Sequence, residues 1–289
     1  MPLLFLVTSL CGTDSVFEDP TLVVIGNGYQ FVEGPVWIDG GLVFSDIPGD
    51  TLFRWEGTER PKVYVKPSRQ TNGNALDRKG LLLSCRHQSR DLVRKEGDRF
   101  VPLAERFEGR RLNSPNDLCV AKDGTIYFTD PPYGVHEKDR ELDYSGVYSI
   151  EPSGKLQVWD KSLPRPNGIA LSPDENTLYV SDSQTGAVYS YPRSNTGAIG
   201  AQRLFARLEK VGPGVPDGLR VDAEGRVFAT GPGGVHVLDP QGNALTVLRT
   251  PETAANVAFG GKDGRTLFIT SQTSVVSVRT KVPGNDWRR

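Results

Sequence analysis

NDLCVAKDGTIYFTD, residues 116–130, holds the pattern on which the whole chain is built: a polar residue, a short apolar segment, an Asp-Gly turn, then the run IYFTD. Runs of the same kind recur as LVFSD from 42, LLLSC from 81, LYVSD from 178, VFATG from 227 and LFITS from 267. The six starts lie 39, 45, 52, 49 and 40 residues apart, and one four-stranded propeller blade needs about 40–50 residues. A second apolar run follows a polar turn in most repeats, as in TLFRW from 51, GVYSI from 146, AVYSY from 187 and GVHVL from 234, which gives a blade its middle hairpin. The spacing therefore predicts an all-β, six-bladed β-propeller forming a single domain over residues 1–289. In that expectation the six apolar runs are the inner strands. Residues 1–20 act as an N-terminal arm or strand, and PLLFLV or TLVVIG closes the ring. The polar tail 283–289 frays or packs outside.

Composition agrees with this and narrows the function. The chain's 32 Gly, 21 Pro and single Met leave little room for long helices, and no long window has helical periodicity, which disfavours a TIM barrel or Rossmann fold. Lys and Arg number 34 against 35 Asp and Glu, so no basic excess points to nucleic acid or an anionic membrane. Cys11, Cys85 and Cys119 are odd in number without C-x-x-C spacing, which argues against a disulfide framework or a thiolate metal site. MPLLFLVTSL at the start lacks a basic flank and is too short to span a bilayer. The expected location is cytoplasmic, with periplasmic or secreted as the alternative.

Upstream of each apolar run stands one polar residue at a fixed place: Glu33, Asn72, Asn116, Asn167, Asp217 and Asn256. Eight residues on lie Gly41, Gly80, Gly124, Glu175, Gly225 and Gly264. In a closed ring, equivalent positions converge on one end of the central channel. Oxygen donors without His or Cys suit a hard divalent cation such as Ca²⁺ or Mg²⁺, and Glu33 and Asp217 offset its charge. The competing reading is that Asn, Asp and Gly before a strand are simply common turn formers. Six occurrences at one offset count against it.

These residues, with FVEGPVW (31–37), RLNSPNDLCVAKDGTIYFTDPPYG (111–134), RPNGIALSPDENTLYVSDS (165–183) and VPDGLRVDAEG (215–225), resemble the family of senescence marker protein, gluconolactonase and luciferin-regenerating enzyme, particularly its bacterial gluconolactonases. The resemblance implies one divalent cation held by Glu33, Asn167 and Asp217, with Asn116 beside it as ligand or substrate contact, and Asp217 as general base. Where animal members carry Arg two residues before that Asn, this chain has Ser114, so substrate preferences tied to the Arg do not transfer. The implied reaction is hydrolysis of a lactone, most readily a sugar lactone. Ca²⁺ is the favoured metal, with Mg²⁺, Mn²⁺ or Zn²⁺ as alternatives. Asn256, His87 and Tyr133 join Asn116 as candidate substrate contacts, Tyr133 from TDPPYG, ahead of a polar excursion that would act as a lid. Organophosphate or other ester hydrolysis and a non-catalytic ligand-binding propeller are the rival readings. No G-x-S-x-G motif offers a serine nucleophile.

Overall fold

The computed structural model describes residues 16–57 and 59–285, with the backbone of Leu4–Phe5. Among them the strands form six sheets and one small hairpin, Arg106–Phe107 with Arg110–Arg111. The first strands of the sheets are Val32–Ile38, Thr71–Leu76, Leu118–Val120, Pro166–Leu171, Leu219–Val221 and Ala254–Gly260. Each touches the next, and the last touches the first. That closed ring makes the chain a six-bladed β-propeller.

The apolar runs are not the inner strands, contrary to the sequence expectation. They are the second strands, Gly41–Asp46, Leu82–Arg86, Ile126–Asp130, Thr177–Asp182, Val227–Gly231 and Thr266–Ser271. A second strand is covered on both faces by neighbouring blades, so its side chains are buried without alternation; all five of Ile126–Asp130 are buried. Between the second and third blades, Leu83, Cys85, Leu118, Phe128 and Tyr148 share one cluster, with the rings of Phe128 and Tyr148 stacked 5.1 Å apart. Cys85 packs as a small buried hydrophobe, whereas Cys119 is only half-buried and Cys11 lies outside the described residues.

The sixth blade draws on both ends of the described chain. Phe17–Asn27 pairs with Ser274–Thr280, aligning Val23 with Ser277 and Val24 with Val276, and Leu4–Phe5 pairs onto Phe17–Asn27. The expected N-terminal closure is therefore present. At the other end, Asn285 donates its N–H to the Val221 carbonyl (2.9 Å) and Gly284 to that of Gly264 (3.0 Å). Residues 283–285 thus seal the far end of the channel instead of fraying, beside a cavity lined by Val36, Leu118, Val221 and Phe259; 286–289 lie outside the described residues.

In five of the six blades the turn after the inner strand explains the offset of eight, whereas in the first Gly41 already opens the second strand. Gly80, Gly124, Gly225 and Gly264 have φ between 72° and 88°, a region glycine enters freely. Glu175 takes the same turn at φ 60°, and both its carboxylate oxygens accept the Lys122 N–H at 3.0 Å. Among the described residues the sole helical element is the three-residue 3₁₀ turn Glu137–Asp139, and no helix is long and apolar enough to cross a membrane.

Candidate active site

Hydroxyls on the second strands set the position of four of the six inner strands. Ser45 Oγ donates to the Asn72 carbonyl (2.7 Å), Thr129 Oγ1 to that of Asn167 (2.6 Å), Ser181 Oγ to that of Asp217 (2.5 Å) and Thr230 Oγ1 to that of Ala255 (2.8 Å). Each of these bonds runs from one blade to the next. The glycines after the channel residues serve the same close fit: a side chain at Gly34, Gly73, Gly168 or Gly218 would run into the neighbouring inner strand. Asn72-Gly73 and Asn167-Gly168 therefore lie inside strands, and the Asn-Gly pairs are not turns here.

The result is one connected set of polar side chains at one end of the channel. Asn72 Nδ2 donates to Asn116 Oδ1, and Asn116 Nδ2 to Asn167 Oδ1. Asn167 Nδ2 reaches Ser183 Oγ at 3.0 Å. Glu33 Oε2 accepts the Gly34 N–H at 2.6 Å and Asn256 Nδ2 at 2.9 Å. Asp217 is bonded to both Glu33 and Asn167. Glu33, Asn72, Asn116, Asn167 and Asn256 are all buried; Asp217 is the ring member that keeps some exposure. Burial first, then neighbouring negative charges, pushes both the Glu33 and Asp217 carboxyls up from the usual carboxylate range.

Around the mouth, the TDPPYG loop is held by Ser114, whose Oγ donates to the Pro131 carbonyl (2.6 Å) and accepts the Gly134 N–H (2.8 Å). Gly134 lies directly on the His87 ring, where a side chain would collide. Tyr133 projects from this loop with its hydroxyl at Ser183 and Asn167, and the Arg165 guanidinium lies 5.3 Å from its ring centre. His87 is buried, its Nε2 3.2 Å from Asn72 Nδ2. Burial pushes its pKa down to about 4, so the imidazole is neutral at pH 7. Since the amide donates, Nε2 accepts. Asn256 sits between two carboxylates, buried, and not on the rim.

The profile of the SMP-30/gluconolactonase/LRE-like region matches residues 31–273. The chain belongs to that family. It is 34% identical to a gluconolactonase of Zymomonas mobilis over 94% of this chain and 85% of the other. It is likewise 34% identical to a 6-deoxy-6-sulfogluconolactonase of Pseudomonas putida over 83% and 82%. The structure of a gluconolactonase from Xanthomonas campestris superposes with a TM-score of 0.87 at 34% identity, covering 94% of this chain and 93% of that one.

Glu33, Asn116, Asn167 and Asp217, the four residues that the sequence offered as candidate cation contacts, come together from four different blades, and Ser114 braces the loop that carries Tyr133. Sequence reasoning missed a buried ion pair just beneath them: Arg220 Nη1 lies 3.1 Å from Asp117 Oδ2. The signal was present. Asp117 occupies the place after the channel residue that four other blades give to glycine, and Arg220 interrupts the apolar run after Asp217.

Proposed function

We propose that this chain is a lactonase that opens sugar lactones of the gluconolactone type. A divalent cation, Ca²⁺ by the hardness of the donors, would be held by Glu33, Asn167 and Asp217 with Asn116 alongside, and Asp217 would act as general base. The substrate class is supported by relatives, matching more than four fifths of the chain, that are named for lactone hydrolysis. The observation that carries the site assignment is the meeting of Glu33, Asn116, Asn167 and Asp217 at one channel end, with Asp217 alone partly exposed.

The donors fit such a cation. Among the described residues no three His, Cys, Asp or Glu side chains are grouped to hold a metal by themselves, so amide oxygens must complete the set, which suits a hard ion. Two adjacent carboxyls whose repulsion is only partly compensated gain from a positive charge between them, and the neutral His87 adds no opposing charge. When bound, the cation supplies charge stabilisation to the lactone carbonyl oxygen. Asp217 accepts the proton of the attacking water, Asn116 orients the substrate, and Tyr133 bounds the mouth and limits water.

The test is to assay gluconolactone, an acyl-homoserine lactone and a phosphotriester side by side, with and without chelator. Turnover of gluconolactone that chelator abolishes and Ca²⁺ restores is the expected result. Preference for the phosphotriester would favour the organophosphate reading, and no turnover of any of the three would favour a binding propeller.

A further inference from the structure

Asp117 and Arg220 are buried in the channel, with side-chain exposures of 1% and 8%. The guanidinium approaches the carboxylate twice, at 3.1 and 3.4 Å, and also donates to the Leu219 carbonyl at 2.7 Å. A single amide links this pair to the site above: Asn256 Nδ2 lies 2.9 Å from Glu33 Oε2 and 3.4 Å from Asp117 Oδ2. The charge of Asp117 acts on both Glu33 and Asp217, whereas Arg220 acts on Glu33 in the opposite sense and more weakly. Buried ion pairs add little to stability compared with apolar packing of the same volume. Their effect on a neighbouring charge is large, because the interior screens poorly.

We propose that the Asp117–Arg220 pair sets the charge of the cation site, Asp117 serving as a third carboxylate and Arg220 as a resident counter-cation. Glu33, Asp117, Asp217 and Arg220 then carry formal charges that sum to −2, which one divalent ion cancels. The inference rests on the cation site proposed above. It adds a role for two residues that would hold neither the ion nor the substrate.

Calorimetric titration of the full chain with Ca²⁺ and with Tb³⁺ tests it, because the two charges predict opposite signs. Asp117→Asn should weaken Ca²⁺ binding by about tenfold or more, and Arg220→Met should tighten it by about tenfold while favouring Tb³⁺ further. The double variant Asp117→Asn/Arg220→Met should return to within about threefold of the parent, and Arg220→Lys should stay close to it. A pair that merely plugged the channel would weaken binding in every variant. If Arg220→Met folds only with Ca²⁺ present, the Ca²⁺-induced rise in Tm replaces calorimetry, and it should exceed that of the parent. Shifts of the same sign in Asp117→Asn and Arg220→Met, or no shift in either, overturn the inference while leaving the cation site standing. A parent chain with no Ca²⁺ binding that Glu33→Gln removes would overturn the cation site, and this inference with it.

Discussion

At the scale of single residues, exposure separates groups that the sequence could treat only as equivalents. Glu33 and Asp217 are both carboxylates at the same blade position, yet Glu33 is 3% exposed and already accepts two N–H donors, whereas Asp217 is partly exposed. A base must reach the proton it removes, so the two roles divide accordingly. Asp217→Asn is expected to lower kcat/KM for gluconolactone by about 10²- to 10⁴-fold, with cation content read by elemental analysis. Retention of near-parental activity at full occupancy would remove Asp217 as the base. Asn116→Ala should impair turnover less or change lactone preference, because it loses an orienting amide and no proton acceptor. Tyr133 differs again: its exposed ring stacks with Arg165 while its hydroxyl is tied at Ser183 and Asn167. Tyr133→Ala should therefore raise KM several-fold with a smaller change in kcat, and unchanged constants for every accepted lactone would show that the ring bounds no pocket.

At the scale of the strand, the hydroxyl and the acid that close the apolar runs of the first, third and fourth blades do separate jobs. The hydroxyls reach across to the next blade, and the acids Asp46, Asp130 and Asp182 accept backbone N–H groups from the segment leading into their own inner strand: Phe31 at 3.1 Å, Asn113 at 2.7 Å and Arg165 at 2.7 Å. Thr129→Val keeps the shape and deletes the bond to the Asn167 carbonyl, so it should cost about 1–3 kcal/mol through the unpaired carbonyl. It should also weaken cation binding, since Asn167 shifts with its strand. Asp130 adds a pH dependence. Burial pushes its pKa up to about 7 from an ordinary 3.8, so between those values the folded chain holds a proton that the unfolded chain has lost. The stability this contributes is complete below about pH 4 and is lost as pH rises through 7. Glu33 and Asp217 add to the same slope, so the informative quantity is a difference: the Tm of Asp130→Asn relative to the parent should improve from pH 5 to about pH 7 and level off above it. Parallel curves would mean that Asp130 is not the group responsible. The sequence showed that six equivalent segments exist and where they begin, because hydrophobic runs and turn residues are local properties. It did not show which strand faces the channel, since an unbroken apolar run reports burial on both faces, and that is the environment of a second strand. The Asp117–Arg220 pair stayed hidden for a related reason: its partners are 103 residues apart, and only the departure from the glycine pattern marked one of them.

At the scale of the whole molecule, closing the ring is what fixes the site, because the channel residues come one from each blade and a gap anywhere would let them separate. The closing strand Phe17–Asn27 covers the outer edge of the sixth blade and supplies Phe17 and Leu22 to the largest apolar cluster, beside Phe228, Val257, Ile269, Val276 and Val278. Phe17 meets Phe228 edge-on at 6.4 Å, a ring contact between the closing strand and the fifth blade. Phe17→Ala should therefore destabilise by about 3–5 kcal/mol, the usual cost of emptying a buried aromatic position. It should also weaken cation binding at the proposed site although Phe17 belongs to the closing strand and not to the channel, because loosening the sixth blade frees Asn256 and, through it, Glu33. A bound cation acts in the reverse direction: an ion that binds only the closed ring stabilises it by about 2.7 kcal/mol at a hundredfold excess over Kd. The measurement is a pair of melting curves for the parent and Phe17→Ala, each with chelator and with saturating Ca²⁺. Equal Ca²⁺-induced rises at matched saturation, together with a weaker Kd for the variant, are what coupling between closure and site requires. A variant that melts far lower yet binds Ca²⁺ with the parental Kd would show that the channel end is held by its inner strands alone, independent of the seam.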